Sequence, residues 1–241
     1  MIYVTSDIHG KFESLKKLLS HVSFSDDDWL FIIGDVVDRG DEGVEILKWL
    51  LLQTNVQLIL GNHENFLLSN RWMFDEISDE SIERVDSESL RNLAAWQANG
   101  GEVTIKALSA ESAETRQDII DYLDDCPLYE SVTLGGRKYI LVHGGLGGFE
   151  KEKALGDYTK NELLWARPTL LTEYSPEEYT VVVGHTPTFF YGEEYKGRMI
   201  KTDSFLNTDT GAATADGHPM LLCLDTLREY YIDENGGVVA V

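Results

Sequence analysis

The chain has 241 residues, enough to bury a substantial core, since a polypeptide of this size hides roughly 70 to 75% of its unfolded surface on folding. Its 43% hydrophobic and 26% charged residues are typical of a globular protein and exclude a disordered chain. With 42 acidic against 20 basic side chains the formal net charge is −22, which opposes binding to nucleic acid or to an anionic membrane surface.

The cysteines and the first residues bear on the compartment. Cys126 and Cys223 are too few for a disulfide framework or a cysteine-based zinc site, and reduced thiols are the simplest interpretation. The opening stretch MIYVTSDIHG turns polar after four residues, unlike a signal peptide, and no run approaches the ~20 apolar residues of a membrane span. We therefore expect a cytoplasmic protein.

Five short apolar runs predict strands that are buried on both faces, because each is too short for a helix and does not alternate with polar residues. They are IYVT (2–5), WLFII (29–33), VQLIL (56–60), YILV (139–142) and TVVV (180–183). Two stretches with apolar residues at helical spacing, KFESLKKLLSHV and EGVEILKWLLLQ, separate the first three runs. The N-terminal part therefore predicts a βαβαβ arrangement.

The rest of the chain predicts a helical excursion followed by more strands. Residues 66 to about 125 are acidic, have helical periodicity and contain no strong strand; we interpret their acidic runs as solvated faces or helix starts. After residue 127 strands return, and MLLCLD, EYYID and GVVAV predict an antiparallel closing set. No linker or repeat is visible, so we expect a single domain over 1–241, of the α/β class (α+β by some schemes).

Each of the five predicted strands is followed at once by a motif with a metal-competent side chain. The motifs are SDIHG, GDVVDRG, GNHE, HGG and GHT, and they hold four of the six histidines; His21 and His218 lie outside them and receive no role. Because ligands collect at the carboxyl ends of strands in α/β sheets, these side chains are expected to converge. The candidates are Asp7, His9, Asp35, Asn62, His143 and His185.

Ligand chemistry and spacing support this grouping. Oxygen and imidazole ligands in this mixture suit manganese, iron or zinc. Asp7 and His9 are two residues apart and would point to the same side of an extended backbone. A Gly-Asp or Gly-Asn pair after a strand is also a common turn, so no single motif establishes a metal site. Five runs that all end in a ligand type are hard to obtain from turn chemistry alone.

These motifs give the chain a resemblance to the phosphoprotein phosphatase family of dinuclear metallophosphoesterases. The match comprises DIHG (7–10), GDVVDRG (34–40), GNHE (61–64), HGG (143–145) and GHT (184–186) in the family's order and spacing. The compact length, LLWARP at 163–168 and NTDTGA at 207–212 look most like the bacterial and bacteriophage branch, and a weaker NGG stands at 99–101. The resemblance implies a four-layer metallophosphoesterase β-sandwich flanked by helices.

Carried over residue by residue, the resemblance implies that Asp7 and His9 bind a first metal, that Asp35 bridges both metals, and that Asn62, His143 and His185 complete the second site. It further implies that His63 is the general acid with Asp38 as its partner, and that Arg39 and Arg167 hold the phosphoryl group. Ser6 stands where the family usually has glycine, a small change. Arg167 rests on the short WAR match, with a surface arginine as the alternative, and the alternative for His63 is a turn histidine.

The implied function is metal-dependent removal of phosphate from phosphoserine or phosphothreonine proteins by a metal-bound hydroxide, with phosphotyrosine left open. Two divalent metal ions are expected, manganese first and iron or zinc as alternatives. We expect a monomer that acts on a phosphorylated protein substrate and binds neither nucleic acid nor membrane.

Three other functions stay open at this point. One is a symmetrical diadenosine tetraphosphate hydrolase with the same fold and metals; such enzymes tend to lack the intact DRG and GNHE pair. A metallophosphoesterase acting on nucleic acid is disfavoured because the chain has no basic stripe. A non-catalytic, metal-stabilised interaction domain would have no use for Asp38, His63, Arg39 or Arg167, none of which would be a ligand.

Overall fold

The structure, a computed structural model, describes residues 1–75 and 85–241. Its strands are β1 Ile2–Thr5, β2 Trp29–Ile33, β3 Val56–Ile59, β4 Tyr129–Leu134, β5 Arg137–Val142, β6 Tyr179–Val183, β7 Ile200–Lys201, β8 Phe205–Asn207, β9 Leu221–Cys223, β10 Arg228–Ile232 and β11 Val238–Ala240. Its α-helices are α1 Phe12–His21, α2 Gly43–Leu50, α3 Asn62–Ser69, α4 Ser87–Ala98, α5 Glu102–Ala110, α6 Ala113–Asp124 and α7 Lys160–Leu164. The five strands predicted from apolar runs are all confirmed.

The strands form two mixed sheets. The first has the order β11-β10-β9-β1-β2-β3, with β1, β2 and β3 parallel and β9, β10 and β11 antiparallel, which confirms both the βαβαβ start and the closing set. The second has the order β4-β5-β6-β8-β7, with β5, β6 and β8 parallel. Parallel strands end at the same edge of a sheet, so the motifs that follow them are brought together.

Alternating side chains of the strands separate the layers of the molecule. In β1, Val4 faces a core between the two sheets, which it shares with Leu141 of β5 and Val182 of β6. The neighbouring Tyr3 belongs instead to the core under the helices. The outer face of the second sheet packs against α7 and its flanking loops. Two sheets face to face with helices outside them confirm the predicted four-layer sandwich.

The helical excursion is confirmed wherever the structure describes it. Helices α4, α5 and α6 follow one another, and side-chain caps mark two of their starts: Asp86 accepts the backbone N–H groups of Glu88 and Ser89, and Ser112 accepts that of Thr115. The part of the predicted helical stretch at 76–84 lies outside the described residues.

Three strands, β4, β7 and β8, have no matching run in the sequence. β4 has the sequence YESVTL and lies at a sheet edge, where Val132 is its only buried residue. Its polar residues give it no continuous apolar run from which a strand could be predicted. β7 and β8 are only two and three residues long. Among the described residues, no helix is long and apolar enough to cross a membrane.

Candidate metal centre

The six predicted metal ligands lie together at the ends of the parallel strands. β1 leads into Asp7 and His9, β2 into Asp35, and β3 into Asn62 at the first turn of α3; β5 and β6 of the other sheet lead into His143 and His185. All six are buried, with exposed fractions between 0 and 7%. Buried polar side chains of this kind need partners or ions, since each loses its hydration on folding.

The backbone after β1, β2 and β6 is held in the left-handed region. The described residues include eight non-glycine residues with positive φ, and six of them are predicted site residues. Such conformations cost of order 1–3 kcal/mol each and cluster at active sites, where the surrounding structure enforces them. The six are Asp7 (49°), His9 (44°), Asp35 (57°), Asp38 (68°), Arg39 (68°) and His185 (66°).

Asp35 lies at the centre of the cluster. Its Oδ1 is 3.3 Å from Nε2 of His143, and its Oδ2 is 3.8 Å from Nε2 of both His9 and His63. Two groups of ligand atoms result, one from His9, Asp35 and His63 and one from Asp35, His143 and His185; within each group all ligand atoms lie within 4.8 Å of one another. Asp35 belongs to both, the position that a bridging ligand needs.

Backbone carbonyls orient two of the imidazoles, so that Nε2 of each lies within the cluster. Nδ1 of His9 donates to the carbonyl of Val37 at 2.9 Å, and Nδ1 of His143 donates to that of Ile33 at 2.9 Å, which leaves both Nε2 atoms facing Asp35. Within residues 1–75 and 85–241, Nε2 of His185 is one of five buried side-chain atoms without a hydrogen-bond partner. Burial lowers the pKa of His9 to about 3 and that of His185 to about 2, so both are neutral and able to coordinate a cation.

Asp7 is fixed from the second sheet. Its two carboxylate oxygens accept the backbone N–H of His185 at 3.1 and 3.0 Å. A Cβ at Gly184 would lie 2.2 Å from Oδ2 of Asp7, so a side chain there would displace the carboxylate. Burial raises the pKa of Asp7, and the neighbouring carboxylate of Asp209 acts in the same direction. A bound cation would relieve this accumulation of buried negative charge.

A proton and a metal would compete for His143. Burial opposes its protonation, but the Asp35 carboxylate outweighs burial and raises the pKa of His143 to about 10. The same pairing, with a contribution from His63, holds the pKa of Asp35 well below its usual range despite burial. Nε2 of His143 also lies 2.9 Å from Oδ1 of Asn62, the other predicted ligand of the second metal. Carboxylate, amide and imidazole groups of this kind fit a cation, and His143 would have to lose a proton to coordinate one.

His63 and Asp38 form a buried pair beside these ligands. Nδ1 of His63 donates to Oδ2 of Asp38 at 2.6 Å. Burial disfavours the charged imidazole, but the carboxylates of Asp35 and Asp38 outweigh burial and raise the pKa of His63. Its other nitrogen, Nε2, faces the cluster. An imidazole oriented by a carboxylate, with its second nitrogen directed at a reaction centre, is the arrangement of a general acid.

The two predicted arginines approach the cluster from different sides. Arg39 donates from Nη1 to Nε2 of His9 at 2.9 Å and from Nη2 to Nε2 of His63 at 3.1 Å, so its guanidinium lies between the two imidazoles. Arg167 donates from Nη1 to Oγ1 of Thr186 at 3.0 Å and to the carbonyl of His185 at 3.3 Å. Both guanidinium groups border the cluster; that they hold a phosphoryl group stays a prediction.

Asp7 does not belong to the group of ligand atoms that contains His9. The resemblance implies that Asp7 and His9 bind the first metal, and the group of ligand atoms within 4.8 Å of one another that contains His9 holds Asp35 and His63. The spacing of two residues brings Asp7 and His9 to one region, but it does not fix which carboxylate oxygen lies nearest the imidazole. The metal-binding roles of all six residues stay predictions.

Two buried acids of the site received no role from the sequence. Glu64, the last residue of GNHE, is fully buried; its Oε2 accepts the N–H of Asp35 at 2.8 Å and of Gly61 at 3.0 Å, and its Oε1 accepts that of Val36 at 2.8 Å. Asp209, in NTDTGA, accepts the N–H of Gly211 at 3.0 Å, and burial raises its pKa to about 7. Both lie in motifs that carry the family resemblance, GNHE and NTDTGA, and membership of these motifs is the sequence signal that could have identified them.

Two residues of the helical excursion also reach the site and were missed. Trp96 of α4 and Thr104 of α5 both donate a hydrogen bond to the Asp38 carboxylate. Each looks like an ordinary core residue of an amphipathic helix, so nothing in the local sequence indicates the contact.

Comparison with known proteins places residues 1–210 in a family described as calcineurin-like phosphoesterase. A symmetrical bis(5'-nucleosyl)-tetraphosphatase of Chromobacterium violaceum is 38% identical over 148 residues, 60% of this chain and 43% of that protein. Serine/threonine-protein phosphatase 2 of Escherichia coli is 30% identical over 169 residues, 68% of this chain and 66% of that protein.

The alignments are partial, and the tetraphosphatase name recurs. Several further similar relatives carry it, and some of those alignments cover only 25% of the relative. The chain thus spans between a quarter and two thirds of the curated relatives that it matches. A solved structure described as a putative diadenosine tetraphosphatase has a TM-score of 0.57 at 18% identity and covers 100% of this chain and 92% of that one, a likeness of fold.

Proposed function

Because the chain belongs to the calcineurin-like phosphoesterase family, we propose that it is a metal-dependent phosphomonoesterase that removes phosphate from serine and threonine side chains of proteins. One observation carries the choice of a monoester: the buried contact of 2.6 Å between Nδ1 of His63 and Oδ2 of Asp38, which leaves Nε2 of His63 directed at the cluster.

The residues divide the work of hydrolysis. Two divalent cations, when bound to the six predicted ligands, would neutralise phosphate charge and lower the pKa of a water molecule. Manganese is the first expectation, with iron or zinc as alternatives, since carboxylate, amide and imidazole donors suit all three. The forks of Arg39 and Arg167 would bind equatorial phosphoryl oxygens in pairs and orient the phosphorus.

Bond cleavage then depends on a proton. Attack of water on phosphorus breaks the bond to the ester oxygen, and that oxygen leaves as an alkoxide unless it is protonated. The protonated His63 would give its Nε2 proton to the leaving oxygen once Nη2 of Arg39, which donates to Nε2 at 3.1 Å in this structure, binds the phosphoryl group instead. Asp38 stabilises the imidazolium and keeps the ring in place. A proton donor of this kind contributes about 10² to 10⁴-fold. The raised pKa of His63 keeps more of it in the acid form near neutral pH.

The leaving group supports a monoester over a polyphosphate. A serine or threonine alkoxide is a poor leaving group and needs protonation. A nucleoside diphosphate released from a tetraphosphate ends in a phosphate whose second pKa is about 6, so it can leave with little help. An oriented, buried acid is therefore more useful for the alkyl ester.

Symmetrical cleavage of bis(5'-nucleosyl) tetraphosphates is the second candidate, and the comparisons taken alone favour it. The tetraphosphatase name recurs among the similar relatives, and the alignment to the C. violaceum protein has the higher identity, 38% against 30% for the phosphatase. The phosphatase alignment covers more of its relative, 66% against 43%. Fold and metals would be the same for both activities.

A manganese-reconstituted assay separates the candidates. It compares a phosphoserine peptide, a phosphotyrosine peptide and diadenosine tetraphosphate as substrates of the wild type, with Asp35→Asn as the inactive control. We expect the highest kcat/KM on the phosphoserine peptide. A higher kcat/KM on diadenosine tetraphosphate, with release of two nucleoside diphosphates, would establish the second candidate instead. Monomeric state and the protein partner stay predictions.

A further inference from the structure

The Asp38 carboxylate is held by more donors than the His63 pair requires. Oδ2 accepts from Nε1 of Trp96 at 2.8 Å in addition to Nδ1 of His63 at 2.6 Å. Oδ1 accepts from Oγ1 of Thr104 at 2.6 Å, and the same hydroxyl oxygen accepts the backbone N–H of Asp38 at 3.0 Å. Both carboxylate oxygens and the backbone nitrogen are therefore fixed.

These donors come from the helical excursion, far away in sequence. Trp96 is 58 residues from Asp38 and Thr104 is 66 residues from it. Trp96 is fully buried and Thr104 is 3% exposed, so water does not substitute for either bond. A fully buried carboxylate that loses a donor pays the full desolvation cost of that oxygen, or rotates to find another partner.

The turn between α4 and α5 serves Arg39 in the same way. The backbone carbonyl of Gly100 accepts the N–H of Arg39 at 3.1 Å. Gly100 has φ of +94°, and a Cβ there would lie 2.8 Å from Cγ of Arg39. A Cβ on Gly101 would lie 2.4 Å from the indole of Trp96. The glycines of the NGG stretch thus allow one turn to contact both Arg39 and Trp96.

Orientation of Asp38 decides which nitrogen of His63 carries the transferable proton. With the carboxylate fixed, Nδ1–H is committed to Oδ2 and Nε2 is the nitrogen that faces the cluster. A carboxylate free to turn would let the ring rotate or change tautomer, and protonation of the leaving oxygen would fail in part.

We propose that the helical excursion is a positioning element for the general acid, with Trp96 and Thr104 as positioning residues that hold Asp38 and, through it, His63. The inference rests on the proposed function in one respect, that His63 protonates the leaving oxygen. It also gives the helical excursion a role in that function. The two helices hold His63 in a fixed position relative to the metal ligands and do not contact the substrate.

Conservative variants test the inference. Trp96→Phe removes the indole N–H and keeps an aromatic ring, and Thr104→Val removes the hydroxyl and keeps the branched shape. For each variant, kcat/KM is measured with manganese on an alkyl phosphate and on p-nitrophenyl phosphate, whose leaving group needs no proton. Trp49→Phe, a half-buried tryptophan of α2, is the matched control.

We expect each variant to lose about 10-fold more activity on the alkyl phosphate than on p-nitrophenyl phosphate, a part of the 10² to 10⁴-fold effect of a proton donor. Thr104→Ser, which restores a hydroxyl, should recover the alkyl phosphate activity. Equal losses on both substrates, or no loss while His63→Asn shows the selective loss, would overturn the inference and leave the proposed function standing. Thr104→Val keeps the test valid if Trp96→Phe does not fold.

An NMR measurement tests the hydrogen bond between Trp96 and Asp38 independently of catalysis. With ¹⁵N-labelled tryptophan, the indole resonance that disappears in Trp96→Phe is that of Trp96. We expect it to be strongly deshielded and to move upfield in Asp38→Asn, while the resonance of Trp49 stays in place. An unchanged Trp96 resonance would refute the contact itself. This readout needs neither metal nor turnover, so it stands even if the chain proves to cleave another phosphate ester.

Discussion

The strand ends and the helical excursion contribute to one site in different ways. Each strand end delivers a buried polar side chain one to four residues after an apolar run, and after β1, β2 and β6 the backbone there is strained. The excursion delivers Trp96 and Thr104 from the facing ends of two successive helices, to a partner about sixty residues away. The first region would set whether cations bind, and the second whether the leaving group receives its proton. Variants of the two regions should therefore fail in different assays.

The largest effect on metal binding is expected at Asp35, which is shared by both groups of ligand atoms. Asp35→Ala should remove the bridge, so that calorimetric titration with manganese shows the loss of at least one site. Activity should fall by more than about 100-fold, since even outer partners of metal ligands cost 10 to 100-fold. Retention of two sites with unchanged affinity would contradict the role of Asp35.

Adding a methyl group at Gly184 tests the metal-binding region without removing a predicted ligand. Gly184→Ala would place its Cβ 2.2 Å from Oδ2 of Asp7, and we expect manganese affinity to fall by about 10-fold or more. Gly156→Ala is the control, because nothing lies within 4 Å of a Cβ at that position. If both variants bind manganese equally well, Asp7 is not held in the way described.

His63→Asn should have the opposite pattern of effects, with metal binding retained and proton transfer to the leaving group lost. We expect both manganese sites to remain, because His63 is assigned a proton rather than an ion. Turnover of an alkyl phosphate should fall by about 10² to 10⁴-fold, and that of p-nitrophenyl phosphate by clearly less. Equal losses on both substrates, or loss of a metal, would return His63 to the ligand group in which its Nε2 lies.

The pH dependence of the wild type gives a smaller effect with a definite sign. His63 must be protonated to act, and its pKa is raised above the ordinary value of 6.5. Activity on the alkyl phosphate should therefore persist at neutral pH and fall as the pH rises through the raised pKa. The p-nitrophenyl phosphate profile should lack this descending limb. A limb of equal size on both substrates would assign it to another group.

The smallest effect is expected on the outer face of the excursion. Asp118 of α6 is exposed, in line with the solvated acidic face that the sequence predicts. Asp118→Asn should change the free energy of unfolding by less than about 0.5 kcal/mol and leave both phosphate assays unchanged. A large loss of activity would show that the acidic face takes part in substrate binding.

Short-range patterns made much of the fold and of the site predictable. Strands β1, β2, β3, β5 and β6 are continuous apolar runs, and a ligand type directly after each run indicates the edge where they meet. The structure brings together the side chains that the sequence indicated, and the group of ligand atoms that contains His9 holds Asp35 and His63.

What escaped the sequence depends on distance and orientation. β4 lies at a sheet edge, and its alternating polar residues are typical of many exposed segments. Glu64 accepts backbone N–H groups, a function that its residue type does not reveal. Trp96 resembles any buried aromatic residue of a helix, and only the folded chain places its indole N–H against Asp38.

Anomalous diffraction from a crystal grown with manganese tests the central claim most directly. The account predicts two peaks about 3.5 to 4 Å apart, the usual separation in two-metal sites, with Asp35 between them and the imidazoles of His9, His143 and His185 around them. A single peak, or peaks away from the carboxyl ends of β1, β2, β3, β5 and β6, would contradict it.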